Sequence, residues 1–174
     1  MKSNLEVIGR NAHIEFIDQV KDVPAKVDTG ADSSSVWATD IFVDTDHRLH
    51  FKLFSQASPY YTGKDIVAEK YSVSRVRSSS GHTQIRYRTP LSIRLAGRRV
   101  KVEFTLADRK NNLFPVLIGR RTLAGKFVVD VTRSECKDQP RKQTMSLNDE
   151  LIKNPHAFYK KYHQNNDNDD KVKK

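Results

Sequence analysis

Between Leu91 and Leu106 apolar residues alternate with polar ones on both sides of Ala96-Gly97-Arg98. Leu91, Ile93 and Leu95 lead in, and Val100, Val102, Phe104 and Leu106 return. A period of two is the geometry of a strand, whose successive side chains point to opposite faces. The break contains glycine at the place a tight hairpin needs it. A helix would scatter these residues around its circumference, so the segment is committed to an antiparallel pair with one face in a core. Similar short runs flank it. Ile14, Phe16 and Ile17 end a first strand region. Val23–Val27, Val36–Val43, Leu49–Phe54 and Phe127–Val131 read as further strands. Phe114–Ile118 is a continuous apolar run, which suits a strand buried on both faces, and Thr122–Lys126 is expected to be a short helix. Short strands at this spacing from Leu5 to Val131 predict an all-β barrel or sandwich.

After Cys136 the pattern changes. Residues 1–136 are expected to form one domain, and residues 137–174 a basic tail, partly helical and then disordered. Within the tail, Lys137–Thr144 reads as a linker. Ser146 with Asp149 resembles a helix capping box, and Asn154 before Pro155 would start a second helix carrying Phe158, Tyr159 and Tyr162. Gln164–Lys174 is almost wholly polar. Removal of the tail near Glu135 is expected to leave the core folded. The basic bias is not confined to the tail. Lys and Arg number 22 against 15 Asp and Glu before residue 137, and 9 against 6 from residue 137 onward. Such a balance suits an acidic partner or simple solvation. The single cysteine excludes an internal disulfide. The N-terminus lacks a signal-peptide core, and no apolar run approaches the roughly 20 residues of a membrane span. A cytoplasmic protein without membrane partners is expected.

The chemistry is concentrated in Val27-Asp28-Thr29-Gly30-Ala31-Asp32-Ser33-Ser34. Here one carboxylate, Asp28, ends a strand on a turn that Thr29 stiffens and Gly30 opens. An aspartic protease needs that layout: a carboxylate reaching a carbonyl and a water, with no Cβ obstructing a passing backbone. Three residues alone are a weak match. The second half is Pro115-Val116-Leu117-Ile118-Gly119-Arg120-Arg121-Thr122-Leu123. An apolar-apolar-Gly-Arg run before a short helix, following an Asp-Thr-Gly turn at this separation, resembles the two signatures of retroviral-type pepsins, the retropepsins.

A closer resemblance rests on Arg75-Val76-Arg77-Ser78-Ser79-Ser80-Gly81-His82-Thr83-Gln84-Ile85-Arg86-Tyr87, on the Ile8-Gly9-Arg10 start, on Ala25–Ala31, and on Phe127-Val128-Val129-Asp130. These are similar to a family of bacterial and archaeal retropepsin-like proteins, often named ATP-dependent zinc proteases, over about residues 7–134. The resemblance implies a closed retropepsin-like barrel and an aspartic-type peptidase. In such enzymes two carboxylates lie about 3 Å apart and share one proton. This chain has one Asp-Thr-Gly. Asp44-Thr45-Asp46 lacks the glycine, and Asp130-Val131-Thr132 lacks more. The second carboxylate is therefore expected from a second copy, in a C₂ homodimer built on Asp28 and its mate. Thr29 would cross the axis and bond the opposite loop. Ala31 completes the loop. Asp32 would offer its N–H to substrate and its carboxylate to Arg120, and Gly119 would permit close approach.

Ser79, Ser80, Gly81 and His82 fall where retropepsins carry the flap, a mobile hairpin closing over substrate. Two readings stand: substrate contact by Ser79, Ser80 or His82, or a solvent-exposed Ser-Gly turn. Arg75 and Arg77 share one strand face, as do Arg86 and Arg88. They would line a groove for acidic, glutamate-rich peptides, or form a solvated face. Trp37 is expected in the core.

No cofactor is expected. There is no His-Glu-x-x-His, no cysteine pair and no Gly-x-x-x-x-Gly-Lys-Ser/Thr loop. His47 and His50 lie three apart on a strand or loop, do not share a face, and are expected to be solvated. The ATP in the family name is read as association with ATP-using ligases that append glutamates. Three functions are weighed: a homodimeric aspartic endopeptidase on acidic peptides, a silent peptide-binding module of the same fold, and a basic ribosome- or RNA-associated protein. The paired signatures favour the first two. An RNA reader would interleave exposed aromatics with its basic residues, and Tyr60, Tyr61 and Tyr87 do not form such a cluster.

Overall fold

The computed structural model describes residues 5–77, 83–136 and 142–162. The chain divides into two compact units, Met1–Lys137 and Asp138–Lys174. The first is a β structure. Its strands are β1 (Glu6–Gly9), β2 (Asn11–Phe16), β3 (Val20–Asp28), β4 (Ser34–Val43), β5 (Leu49–Leu53), β6 (Asp65–Ala68), β7 (Ser72–Arg77), β8 (Thr83–Leu95), β9 (Arg98–Ala107), β10 (Val116–Gly119) and β11 (Phe127–Asp130). One helical turn, α1 (Arg120–Leu123), links the last two.

Six strands close into a barrel in the order β10-β3-β2-β8-β9-β4, and pairing of β10 with β4 completes the ring. The expected closed retropepsin-like barrel is thus the observed fold. The hairpin of β8 and β9 turns at Ala96 (φ 47°) and Gly97 (φ 76°), with Leu95 opposite Arg98. Two left-handed residues in a two-residue loop match the right-handed twist of the strands they join. The alternation read from the sequence points inward: Ile93, Leu95, Val100, Val102, Phe104 and Leu106 are all buried. Phe16, Phe54 and Phe104 meet at the centre, with Phe16 5.5 Å from Phe104 and edge-on to Phe54 at 6.2 Å. Such ring pairs add about 0.5–1.5 kcal/mol each beyond the area they bury.

Strand β5 extends the sheet from β4, and β6 from β5. β7 pairs with the first half of β8, so the long β8 runs out of the barrel into a second hairpin. β1 and β11 form a separate parallel pair in which Val7 faces Val128.

The chain end of the first unit is tied down. Asn11, 3 % exposed, accepts from the backbone N–H groups of Glu135 (2.7 Å) and Cys136 (2.9 Å), and its amide donates to Ser134 Oγ (2.9 Å). In the second unit, α2 (Lys142–Lys153) starts earlier than expected, so Ser146 and Asp149 lie inside the helix and do not cap it. Asn154 caps α3 (Pro155–Tyr162), its Oδ1 accepting from the N–H of Ala157 at 3.0 Å. The helical turn α1 also precedes its expected span by two residues, because Gly119 ends the strand and Gly125 (φ 71°) ends the turn.

Candidate functional site

Asp28 is the last residue of β3, and in the parallel pairing of β10 with β3 it lies opposite Gly119. The two sequence signatures are thus neighbouring strand ends. Their loops are stitched by backbone bonds: Arg120 N–H donates to Ala31 O (2.8 Å) and Arg121 N–H to Asp32 O (3.3 Å). Contact is so close that a Cβ on Gly119 would lie 2.6 Å from the carbonyl of Ser33. Beneath the loops Ser34, 2 % exposed, accepts from Gly119 N–H through Oγ (3.0 Å), and that hydroxyl also bonds Thr122 Oγ1 (2.8 Å). Neither Ser34 nor Thr122 stands out as a site residue in the sequence. A hydroxyl that joins two segments 85 residues apart in the chain has no local pattern.

The Asp28 side chain is 27 % exposed. Its Oδ1 accepts from the N–H groups of Gly30 (3.1 Å) and Ala31 (3.2 Å), an Asx turn that sets the carboxylate's orientation. Oδ2 pairs with Lys26 Nζ at 3.5 Å. Thr29 and Gly30 are exposed at the loop tip. Gly30 is not left-handed, and an added Cβ would make only an ordinary 3.4 Å contact with Asp28 Oδ1. Folding of the loop does not demand glycine there; close approach of another chain would. Asp32 Oδ1 pairs with Arg120 (3.3 Å) and Oδ2 with Arg121 (2.8 Å), and Arg120 reaches toward Gly30 O at 3.5 Å. Asp28, Thr29, Gly30, Ala31, Asp32, Gly119 and Arg120 therefore form one cluster. Ser79, Ser80, Gly81 and His82 lie outside the described residues.

The hairpin of β7 and β8 carries two unlike faces. Ser74 pairs with Arg86 and Ser72 with Arg88, while Arg75 pairs with Ile85 and Val73 with Tyr87. Ser74, Val76, Arg86 and Arg88 are half-buried; Val73, Arg75, Arg77 and Ile85 are exposed. The four arginines are thus divided: Arg75 and Arg77 are exposed, and Arg86 and Arg88 are half-buried on the other face. Arg86 bonds the amide oxygen of Gln84 (2.8 and 3.1 Å). Arg109, on the loop entering β10, donates to Phe114 O (3.2 Å). Burial weakens the proton affinity of both guanidiniums, and for Arg109 the like charge of Arg86 adds to this, while the Asp28 carboxylate opposes it. Arg109 thus feels both the Asp28 carboxylate and the Arg86 guanidinium, and both arginines have neutral acceptors as hydrogen-bond partners. Arg109 has no neighbouring motif and is not singled out by the sequence.

Two expectations need correction. His50 is not solvated: its side chain is 15 % exposed, and its Nε2 and Nδ1 meet Asp44 Oδ2 (2.9 Å) and Asp65 Oδ2 (2.7 Å). The fold brings Asp65 from β6 against it, a pairing invisible in the local spacing. Trp37 is only half-buried. It packs edge-on to Phe54 (6.5 Å) and lines a cavity of about 750 Å³ with Arg109 and Leu113. Among the described residues, no three His, Cys, Asp or Glu side chains are grouped to hold a metal ion, and no helix is long and apolar enough to cross a membrane.

Comparison with known proteins agrees with the architecture. The family described as RimB-like, the retropepsin-like aspartic endopeptidase RimB, matches residues 7–140. Two curated relatives, each named "Probable alpha-L-glutamate ligase", come from Shewanella pealeana (31 % identical over 144 residues) and Shewanella halifaxensis (30 % over 147). The matches cover 78 % and 80 % of this chain but only 31 % of each relative, so the chain spans about a third of their length. A crystal structure of a Legionella pneumophila protein of unknown function, Lpg0085, is similar with a TM-score of 0.58 and 25 % identity, covering 74 % of this chain and 95 % of that one.

Proposed function

Because this chain belongs to the RimB-like family of retropepsin-like aspartic endopeptidases, we propose that two copies assemble about a twofold axis and hydrolyse peptide bonds with their paired Asp28 carboxylates. The observation that carries this reading is the state of Asp28: one oxygen is occupied by its own loop, and the other, with Lys26 Nζ at 3.5 Å, stands in a partly exposed side chain beside an exposed Thr29 and Gly30. In the paired site one carboxylate is ionised and one protonated. The ionised one takes a proton from a water held between them. The resulting hydroxide attacks the scissile carbonyl carbon, and the protonated partner donates to the carbonyl oxygen. The tetrahedral centre then collapses, the C–N bond breaks, and the amine leaves with a proton from the dyad. The two groups titrate as one unit. Asp32, held by Arg120 and Arg121, keeps the loop rigid.

An acidic peptide is the substrate this reading favours. Arg109, partly buried, sets a positive charge within electrostatic reach of Asp28, and Arg86 adds a second one beside Arg109. The two Shewanella relatives, named for glutamate ligation, point to the same class. A surface for the second copy is available on the β1–β11 pair, where Val7 and Val128 face each other and are each 47 % exposed.

Cleavage of a glutamate-rich peptide library across pH 4–8 tests the reading. The wild type is expected to cut and Asp28→Asn to lose all turnover, with sedimentation showing a dimer. Activity surviving in Asp28→Asn, or cutting by a strict monomer, overturns it. One observation favours a second reading, a peptide-binding module without turnover: Lys26 Nζ, 3.5 Å from Asp28 Oδ2, competes for the oxygen the dyad needs. Peptide binding without cleavage by the wild type would select that reading.

A further inference from the structure

Next to the Asp32 loop, with Ser33, Ser34 and Arg121 in its wall, lies a cavity of about 730 Å³. Five cations line it: Lys70, Arg88, Lys101, Arg121 and Lys126. The one carboxylate among its lining residues is Glu103, and that is 3.3 Å from Arg88 Nε. We propose that this cavity is a binding site for the acidic side chains of a peptide segment remote from the scissile bond. The inference rests on the peptidase reading for the identity of the bound chain, although the site itself is separate from Asp28.

The charge balance comes first. Arg121 is shared with Asp32, and Arg88 with Glu103, so two cations are already compensated. Among the described residues, Lys126 Nζ bonds the carbonyl of Ala124, at 3.4 Å, and no carboxylate. Lys70 and Lys101 are exposed at the rim. An excess of positive charge around a concave surface concentrates field lines and draws in an anion. A volume of this size lies in the range of real ligand sites.

Continuity with the Asp28 site comes second. Ser33, in the cavity wall, follows Asp32 directly, and Arg121 spans the two places by holding the Asp32 carboxylate. A chain running extended past Asp28 and over the Asp32 loop enters the cavity within a few residues, since each extended residue advances about 3.3 Å. The lining chemistry also prefers carboxylates to nucleic acid. The cavity's one aromatic lining residue, Tyr71, packs edge-on against Tyr87 at 6.0 Å, and its hydroxyl donates to His47 O (2.9 Å), so the lining lacks the row of aromatic platforms on which successive bases stack.

The test uses the full chain. Hexaglutamate is titrated calorimetrically into Asp28→Asn, with and without Lys101→Glu and Lys126→Glu, at low and moderate salt. The double reversal is expected to weaken binding at least tenfold and to flatten its salt dependence. Diglutamate, which offers the cavity fewer carboxylates, should lose less affinity to the double reversal than hexaglutamate does. Lys101→Gln with Lys126→Gln gives a smaller loss and guards against misfolding, which melting curves monitor. Lys21→Glu, a reversal outside the cavity, serves as control. Equal hexaglutamate binding in the presence and absence of the double reversal overturns the site. So does tighter binding of a short single-stranded RNA that the reversal abolishes. The two readings separate cleanly. If the Asp28-intact protein cuts hexaglutamate with the same KM in the double reversal, the cavity falls and the peptidase stands. If it never cuts but the reversal still abolishes binding, the cavity stands and the peptidase falls.

Discussion

Gly119 and Gly30 require glycine for different reasons. A Cβ on Gly119 would strike the Ser33 carbonyl at 2.6 Å, and backbone on both sides leaves nothing flexible to yield. Gly119→Ala is therefore expected to cost about 1–3 kcal/mol, as overpacking does, and to loosen the Asp28 loop. Gly30→Ala meets only an ordinary contact and should leave the unfolding midpoint within about 0.5 kcal/mol of the wild type, while lowering peptide turnover. Chemical denaturation with an assay of each variant checks both; equal destabilisation by the two would refute the distinction. Ser34 is a third such residue. Ser34→Ala strands a buried N–H of Gly119 and the Thr122 hydroxyl, an expected loss of about 1–3 kcal/mol, visible as a lower denaturant midpoint at unchanged slope. Of the three, the two glycines stand inside recognisable motifs. Ser34 opens β4 and Ser33 lies just before it, a difference that the Ser33-Ser34-Ser35 run does not record.

At the level of elements, β5 and β6 are held by a charged clamp. His50 on β5 bridges Asp65 on β6 and Asp44 before the 44–48 turn, Arg48 adds to Asp44 at 2.8 Å, and Phe42 stacks flat on the imidazole at 4.8 Å. The two carboxylates raise the His50 pKa above its ordinary 6.5, Asp65 most strongly. A raised pKa in the folded state means a stabilising contribution that is complete below 6.5 and is lost as pH climbs through the folded value. Thermal midpoints are expected to fall between pH 6 and pH 8, and His50→Gln should remove that slope. Cys136 does not blur the window, since burial pushes its thiol up from an ordinary 9.0. A wild-type profile flat from pH 6 to 8 would dispose of the clamp. The hairpin of β8 and β9 is legible from alternation alone. The clamp is not, because its three acid–base partners come from separate elements.

For the whole molecule, the compact unit Met1–Lys137 ends where Asn11 holds Ser134, Glu135 and Cys136. A cut near Glu135 falls inside that knot. Truncation after Lys137 is expected to keep the barrel's melting temperature within a few degrees. Truncation after Arg133 leaves buried Asn11 without those partners, a cost of about 1–3 kcal/mol and a drop of roughly 5 °C or more. Similar melting of both truncations would show that the knot contributes nothing. Assembly is the other property of this scale. If the β1–β11 pair carries the twofold contact, Val128→Lys should shift sedimentation to monomer and abolish cleavage together. A dimer that persists in that variant places the contact elsewhere.

The chain itself determined the barrel and the identity of its candidate acid. Both follow from local rules: period-two alternation places Ile93, Leu95, Val100 and Phe104 inside, and two short motifs name Asp28 and Gly119. What the tertiary structure alone decided is who stands beside whom. Ser34 locks the two signature strands, Arg109 comes within reach of Asp28 and Arg86, Asp65 reaches His50, and five cations gather around one cavity. Those meetings depend on barrel closure, which brings together side chains that are distant along the chain, and no spacing in the sequence records them.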